Sequence, residues 1–234
     1  MGFISTETAV STFFNRAKLL FDFETESSPT CLSQAALLLS LGSSKVAGKG
    51  GQSNSDWLSI AICHAKRVAI ATPATLASSR DLQPYARGGR GIAQRVKWSC
   101  IVRDRILSLT ARRSMQLPHA RLDEYDGDIL AEMGLREEAT RSRVYDREVK
   151  RRLIDIFHQM VKFCSILTDL LSIIGCSNNA FEAPVQVTGG SVGVVKWALE
   201  SWHGQVLCQF PECKHQYQSD AITIYSNWLH MLYQ

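Results

Sequence analysis

Apolar side chains recur every three or four positions along most of this chain, and no strict alternation of any length interrupts them. In residues 7–23, Val10, Phe13, Phe14, Ala17, Leu20 and Phe21 follow that spacing while Arg16 and Lys18 turn outward. This predicts an opening helix with Thr6 as N-cap. Ser27-Ser28-Pro29-Thr30 breaks it, and Ser28 or Thr30 caps a second helix over 31–41 that Gly42 ends. Asp56 caps a third over 57–71, with Trp57, Ile60, Ala61, His64 and Val68 on one side. Residues 94–118 form a fourth amphipathic segment, with Trp98, Val102, Ile106 and Leu109 as its stripe, Ile101 flanking, and Pro118 as its stop.

The second half repeats the pattern. A short helical piece, ILAEMGL, precedes a run from Arg136 to Arg152 that is dense in both signs and reads as a solvated helical face. Val149, Leu153, Ile156, Met160, Phe163, Leu167, Leu170 and Ile174 then alternate steps of four and three, a heptad-like seam closed by Gly175. Such a seam suits the core of a bundle or a dimer helix. The e and g positions are not consistently charged, which favours the core. The tail holds a tryptophan-bearing stretch from Val195 to Trp202, a break at Pro211 and a final helix over 218–233 with Ile222, Tyr225, Leu229 and Leu232 on one side. Mobile connectors are expected near 42–55, 72–93 and 176–192, the last with a short extended piece at Val185 to Val187. The expected fold class is all-α, a single helical array over 1–234.

Composition changes this picture little. With 234 residues, 45% hydrophobic and 21% charged, the chain is long enough for a substantial core. A formal net charge of +4 is mild, far from that of a domain gripping phosphates by itself. AALLLSL at 35–41 and FCSILTDLLSIIG at 163–175 are too short to span a bilayer, so no membrane partner is expected. The start lacks the pattern of a secretory signal, and Phe3 and Ile4 make Met1-Gly2 a poor myristoylation site. Seven cysteines, mostly within apolar helical patterns, read as reduced thiols packed as small hydrophobes.

Candidate chemistry is sparse. No nucleophile elbow, zinc-protease helix, phosphate loop or dinucleotide fingerprint occurs, so the chain is not expected to be an enzyme or to hold a cofactor. Cys208, Cys213, His215 and His203 could supply four zinc ligands, but the loose spacing favours a loop with unpaired cysteines. The carboxylates Asp123, Glu124, Asp126 and Asp128 lack the spacing of a calcium loop. The feature that stands out is Arg103-Asp104-Arg105, set inside an apolar stripe. A core helix avoids such charges unless they pair. The structural reading is a buried ion pair that fixes helix packing; the functional one is a pocket for an anionic inducer.

The residues around that cluster carry a resemblance. Lys97-Trp98, Cys100 to Val102, Asp104-Arg105, Ile106 to Leu109 with Ser108, Arg112-Arg113, Pro118 and the acidic run from Asp123 to Asp128 resemble the signature of the fungal-specific transcription factor domain. This is the middle homology region of regulators whose DNA-binding head is a six-cysteine, two-zinc cluster. Ser99 departs from the pattern in place of a second aromatic, and Ser114 in place of proline. Phe13-Phe14 to Phe21-Asp22, Thr30 to Leu41, Trp57 to Ile62 and IYSNWLHMLYQ are similar to further stretches of the family, whereas VAIATPATLASSRD replaces its usual turn.

The resemblance implies a helical regulatory domain, incomplete at its C-terminal side, acting in the nucleus on RNA polymerase II transcription, of the kind found beside metabolic or secondary-metabolite gene clusters. Zinc and direct DNA binding belong to a head whose cysteine spacing is absent from the sequence. DNA is therefore expected to be reached only indirectly, by a homodimer or a heterodimer with a full-length factor. Two alternatives stand beside it: a helical small-ligand-binding or enzyme-like protein with a crevice beside Trp98 and Asp104, and a non-functional remnant of a transcription factor.

Overall fold

The computed structural model describes residues 5–42, 52–71, 83–117, 130, 133–178, 189–211 and 219–234. Among these it holds eight helices and no strand: α1 (Thr6–Asp22), α2 (Pro29–Leu39), α3 (Asn54–Ala71), α4 (Gln83–Ala111), α5 (Leu135–Arg141), α6 (Arg147–Asn178), α7 (Gly189–Gln209) and α8 (Asp220–Tyr233). The fold class is all-α, as the periodicity requires. The chain forms two compact units, Met1–Asp104 and Arg105–Gln234.

In the first unit, α2 packs along α3, and α1 leans on α2. The starts are set by side chains that satisfy the free N–H groups of a first turn. Ser5, not Thr6, caps α1, accepting from the Thr8 N–H at 3.1 Å. Ser28 caps α2, and Pro29 takes the first helical position, where a missing N–H costs nothing. At α3, Ser53 precedes Asp56 in a reciprocal capping box. The Asp56 N–H donates to Ser53 Oγ at 3.2 Å, and the Ser53 N–H donates to Asp56 Oδ2 at 2.8 Å. Asp56 is thus the third residue of the turn rather than its cap, and the helix starts at Asn54. Trp57, Leu58, Ala61, Ala36 and Leu39 are buried between α2 and α3, and Phe21 meets Trp57 edge-on at 5.2 Å. Gly42 follows α2, and a Cβ there would run into the ring of Phe14 from α1.

The connector expected over 72–93 is corrected over 83–93, where α4 has already begun. Pro84 is the second residue of the helix, a position with no intrahelical N–H to lose, and Arg87, Arg90, Ile92 and Ala93 propagate it despite three glycines. Likewise α6 runs to Asn178, past Gly175, and α7 begins at Gly189, so the loop expected over 176–192 shrinks from both sides. A glycine inside a helix costs only about 1 kcal/mol, less than a long packed helix gains. The short extended piece expected at 185–187 lies outside the described residues.

In the second unit, α6 packs against α5, α7 and α8. The run 136–152 is two helices, not one face: Ser142 turns extended after α5, and Asp146 accepts from the Glu148 and Val149 N–H groups at 2.9 Å to start α6. Glu138 and Lys150 pair at 2.9 Å, while Leu130, Ala139 and Ile154 bury a small apolar cluster behind them. The seam of α6 is core along its middle, where Ile156, Met160, Phe163 and Leu167 are buried; Val149, Leu153 and Leu170 are half-buried and Ile174 is exposed. Trp202 of α7 lies 4.8 Å from Phe163, and its indole N–H donates to the Gln159 carbonyl at 3.0 Å. His230 of α8 bonds the Phe210 carbonyl at 2.8 Å. By length and composition alone, Arg147–Ile174 is long and apolar enough to cross a membrane, a test that the core helix of a globular protein also passes. It nevertheless buries Gln159 and Thr168 against its neighbours, the behaviour of a core helix.

Candidate functional site: the buried polar residues of α4

The stripe expected on α4 is met in part: Trp98, Ile106 and flanking Ile101 are buried, while Val102 is half-buried and Leu109 exposed. Arg105 and Ser108 are buried as well, so that Trp98, Ile101, Arg105 and Ser108 follow spacings of three, four and three. Cys100, Asp104 and Leu107 lie buried beside them. The inward face therefore includes the charges themselves: Asp104 and Arg105 are each 0% exposed.

On the first-unit side, Arg103 donates from Nε to Ser40 Oγ at 3.1 Å and from Nη2 to the Ser40 carbonyl. It thereby satisfies the end of α2, whose last carbonyls have no helical donor. Ser33 donates to the Ala61 carbonyl at 2.8 Å, joining α2 to α3. Burial pushes the Cys100 thiol up to about 12; nearby Asp104 adds to the rise and a hydrogen bond with Ser33 opposes it. A groove of about 520 Å³ lies between α2 and the first half of α4, lined by Thr30, Cys31, Gln34, Leu37, Ile92, Arg95, Val96 and Ser99. Trp98 and Asp104 do not line it, so the crevice anticipated beside them is not this groove.

On the second-unit side, Arg105 donates from Nε to Thr168 Oγ1 and from Nη2 to the Leu117 carbonyl, both at 2.7 Å. The Thr168 hydroxyl in turn donates to the Cys164 carbonyl at 2.7 Å. A guanidinium buried among directed acceptors fixes the turn after α4 to the middle of α6. Burial raises the Cys164 thiol to about 12, against the lowering effect of Arg105. Thiols this basic stay protonated and are poor nucleophiles.

The C-terminus of α4 is closed by its own backbone. Arg112 has φ of 48°, and the Arg113 N–H reaches the Ser108 carbonyl at 3.2 Å, a glycine-type helix stop built on arginine. Ser108 Oγ donates to the Ser114 carbonyl at 3.5 Å.

Of the residues singled out in the sequence, Trp98, Asp104, Arg105 and Ser108 are brought into the interior, Lys97 and Arg112 are exposed, and Pro118 lies outside the described residues. So do the acidic run 123–128 and two of the four candidate zinc ligands, Cys213 and His215. Of the other two, His203 stacks on Tyr233 at 3.8 Å and Cys208 is exposed. Sequence reasoning missed Ser33, Ser40, Leu117 and Thr168. Thr168 had a signal, since it falls beside Leu167 on the buried seam of α6; the other three had none.

No family model matches the chain, and no solved structure matches it. Among curated proteins, a protein named "Transcription factor" from Fusarium pseudograminearum (strain CS3096) is 30% identical over 141 residues, 53% of this chain and 14% of that protein. Cutinase transcription factor 1 beta of Fusarium vanettenii is 23% identical over 177 residues, 73% of this chain and 19% of that protein. The chain is thus related to fungal transcription factors, and it spans less than one fifth of the length of these two relatives.

Proposed function

We propose that this chain is the helical regulatory region of a fungal transcription regulator, of the middle-homology type, acting in the nucleus on RNA polymerase II transcription. The observation that carries the reading is the similarity to two named transcription factors in a chain whose signature-like residues Trp98, Asp104 and Arg105 are all buried on one helix. Arg105, taken inside and tied to the middle of α6 and to Leu117, serves to hold a scaffold in register. The thiols beside them are held in the unreactive form, consistent with a scaffold role. Zinc and base readout belong, on this reading, to other segments of a full-length factor, and this chain reaches DNA through a partner. Control of a metabolic or secondary-metabolite gene cluster follows from the same resemblance.

The test is a reporter assay with the chain fused to a heterologous DNA-binding domain in a fungal host. A change in reporter output that Thr168→Val weakens supports the proposal; output indistinguishable from the bare DNA-binding domain overturns it. A gel shift of the chain alone, on promoter DNA across salt, checks the indirect route. Tight binding that weakens steeply with salt would defeat it.

A further inference from the structure

Apolar residues stand all round α7 rather than on one side, which a helix with a solvated outer face does not need. Val195, Trp202 and Val206 are buried against the rest of their unit. On the opposite side Val194, Trp197, Ser201, Gly204 and Cys208 are exposed, at spacings of three, four, three and four, and none of them is charged. That repeat is the one by which helices interlock. Val194 is 66% and Trp197 70% exposed, and the indole alone leaves on the order of 150 Å² uncovered. A Cβ added at Gly193 or Gly204 would meet nothing within 4 Å. Glycine weakens a helix, so two gaps stand here that the packing of the chain itself does not call for.

We propose that this seam packs against the same seam of a second copy of the chain, with the two α7 helices antiparallel. A second copy is selected because the seam carries both the knobs and the gaps that receive them. Trp197 and Gly204 lie one heptad apart, hence within about 20° of each other round the helix. Both stand equally far from the point between Glu200 and Ser201. A two-fold axis there sets each Trp197 ring over Gly204 of the other copy, the contact occurring twice as a self-complementary interface requires. Within one residue of the same register, Leu207, 38% exposed, lies over Gly193, and Val194 lies beside Cys208. The members of each of these pairs are about 40° apart round the helix, so they share a side. Val192, about 140° from Trp197, takes no part. The two Glu200 side chains approach across the axis, each beside its own Lys196 at 3.9 Å. That repulsion, and a seam only about 22 Å long, make the dimer weak and concentration-dependent.

The proposal does not depend on a role in transcription, and its readout is association alone. Sedimentation of the full chain over a range of concentrations is expected to show a monomer–dimer equilibrium. Gly204→Leu fills the gap that receives Trp197 and is expected to shift that equilibrium about tenfold or more toward monomer. Because a side chain at 204 has open space in its own chain, circular dichroism of this variant at low concentration is expected to match the parent. Orientation is read by mild oxidation in a background where exposed Cys31 and Cys63 are serine. There Val194→Cys is expected to form a disulfide-linked dimer through the native Cys208 of the other copy, and adding Cys208→Ser to abolish it. Without Val194→Cys no link through Cys208 is expected, because antiparallel helices hold the two Cys208 about 22 Å apart, beyond the reach of a disulfide. A monomer at every concentration, a dimer indifferent to Gly204→Leu, no link with Val194→Cys, or a link from Cys208 to its own counterpart would each overturn the proposal.

Discussion

Deleting one hydroxyl tests whether the Arg105 centre holds the second unit together. Thr168→Val keeps the buried volume but removes the acceptor that the Arg105 Nε–H reaches at 2.7 Å. A hydrogen bond from a charged donor contributes about 1.5–3 kcal/mol, and a buried donor left without its acceptor falls at the upper part of that range. The lost bond from the hydroxyl to the Cys164 carbonyl adds little, about 0.5 kcal/mol or less, since this oxygen lies in the helix ladder of α6. The guanidinium keeps the Leu117 carbonyl through Nη2, so the charge is not stranded and the cost stays below the roughly 3–5 kcal/mol of a broken buried pair. The expected destabilisation is about 2.5–3 kcal/mol. Urea unfolding followed by far-ultraviolet circular dichroism reads it as a lower midpoint at unchanged slope. A double-mutant cycle with Arg105→Met isolates the contact, with a coupling expected at about 1.5–3 kcal/mol. A loss under about 0.5 kcal/mol, or a coupling near zero, would show that Arg105 is buried without depending on Thr168.

Four further outcomes follow from the geometry. Arg112→Gly is expected to leave stability unchanged or raise it by about 0.5–1 kcal/mol, since glycine adopts the left-handed stop without strain, whereas Arg112→Val should cost about 1 kcal/mol or more; thermal melts of the two variants compare them. Ser53→Ala removes the capping box of α3 and is expected to cost about 1 kcal/mol, seen in the melt of the intact chain. Alkylation at mildly alkaline pH, mapped by mass spectrometry, should label Cys31, Cys63 and Cys208 in the folded chain while sparing Cys100 and Cys164 until it unfolds. The same two thiols set a sign for alkaline stability. The unfolded thiols release protons near their ordinary value of 9.0 while the folded ones hold them to about 12, so stability is full below 9 and falls as pH rises through that window. Replacing both cysteines by alanine should flatten that decline.

The helices were largely legible because their apolar spacing is local information. Their ends were legible only where a cap competes with no neighbour: Ser28 was among the two caps foreseen for α2, but at α1 Thr6 was preferred over Ser5, and at α3 Asp56 over Ser53. In both, adjacent hydroxyls or carboxylates satisfy the same rule and only geometry decides. Residues 83–93 misled for a different reason. Proline and glycine weigh against a helix in isolation, but a turn added to an existing helix needs no new nucleus, and Pro84 sits where it does no damage. The centre on α4 was half legible. A charge cluster within an apolar run announces buried Asp104 and Arg105, and Trp98, Ile101 and Ile106 lie inside as their spacing predicts, but apolar character alone places Val102 and Leu109 there too. The acceptors could not be read, since Ser40 and Thr168 each stand 63 residues from the arginine they receive.

The bare backbone at position 42 adds a second tie between α1 and α2, which already pack together. Because the Phe14 ring fills the space a methyl group would need, a relative with a side chain at the equivalent of Gly42 is expected to have a smaller residue at the equivalent of Phe14, a turned ring there, or a shifted α1. Sequence drift at these two positions should therefore proceed in tandem.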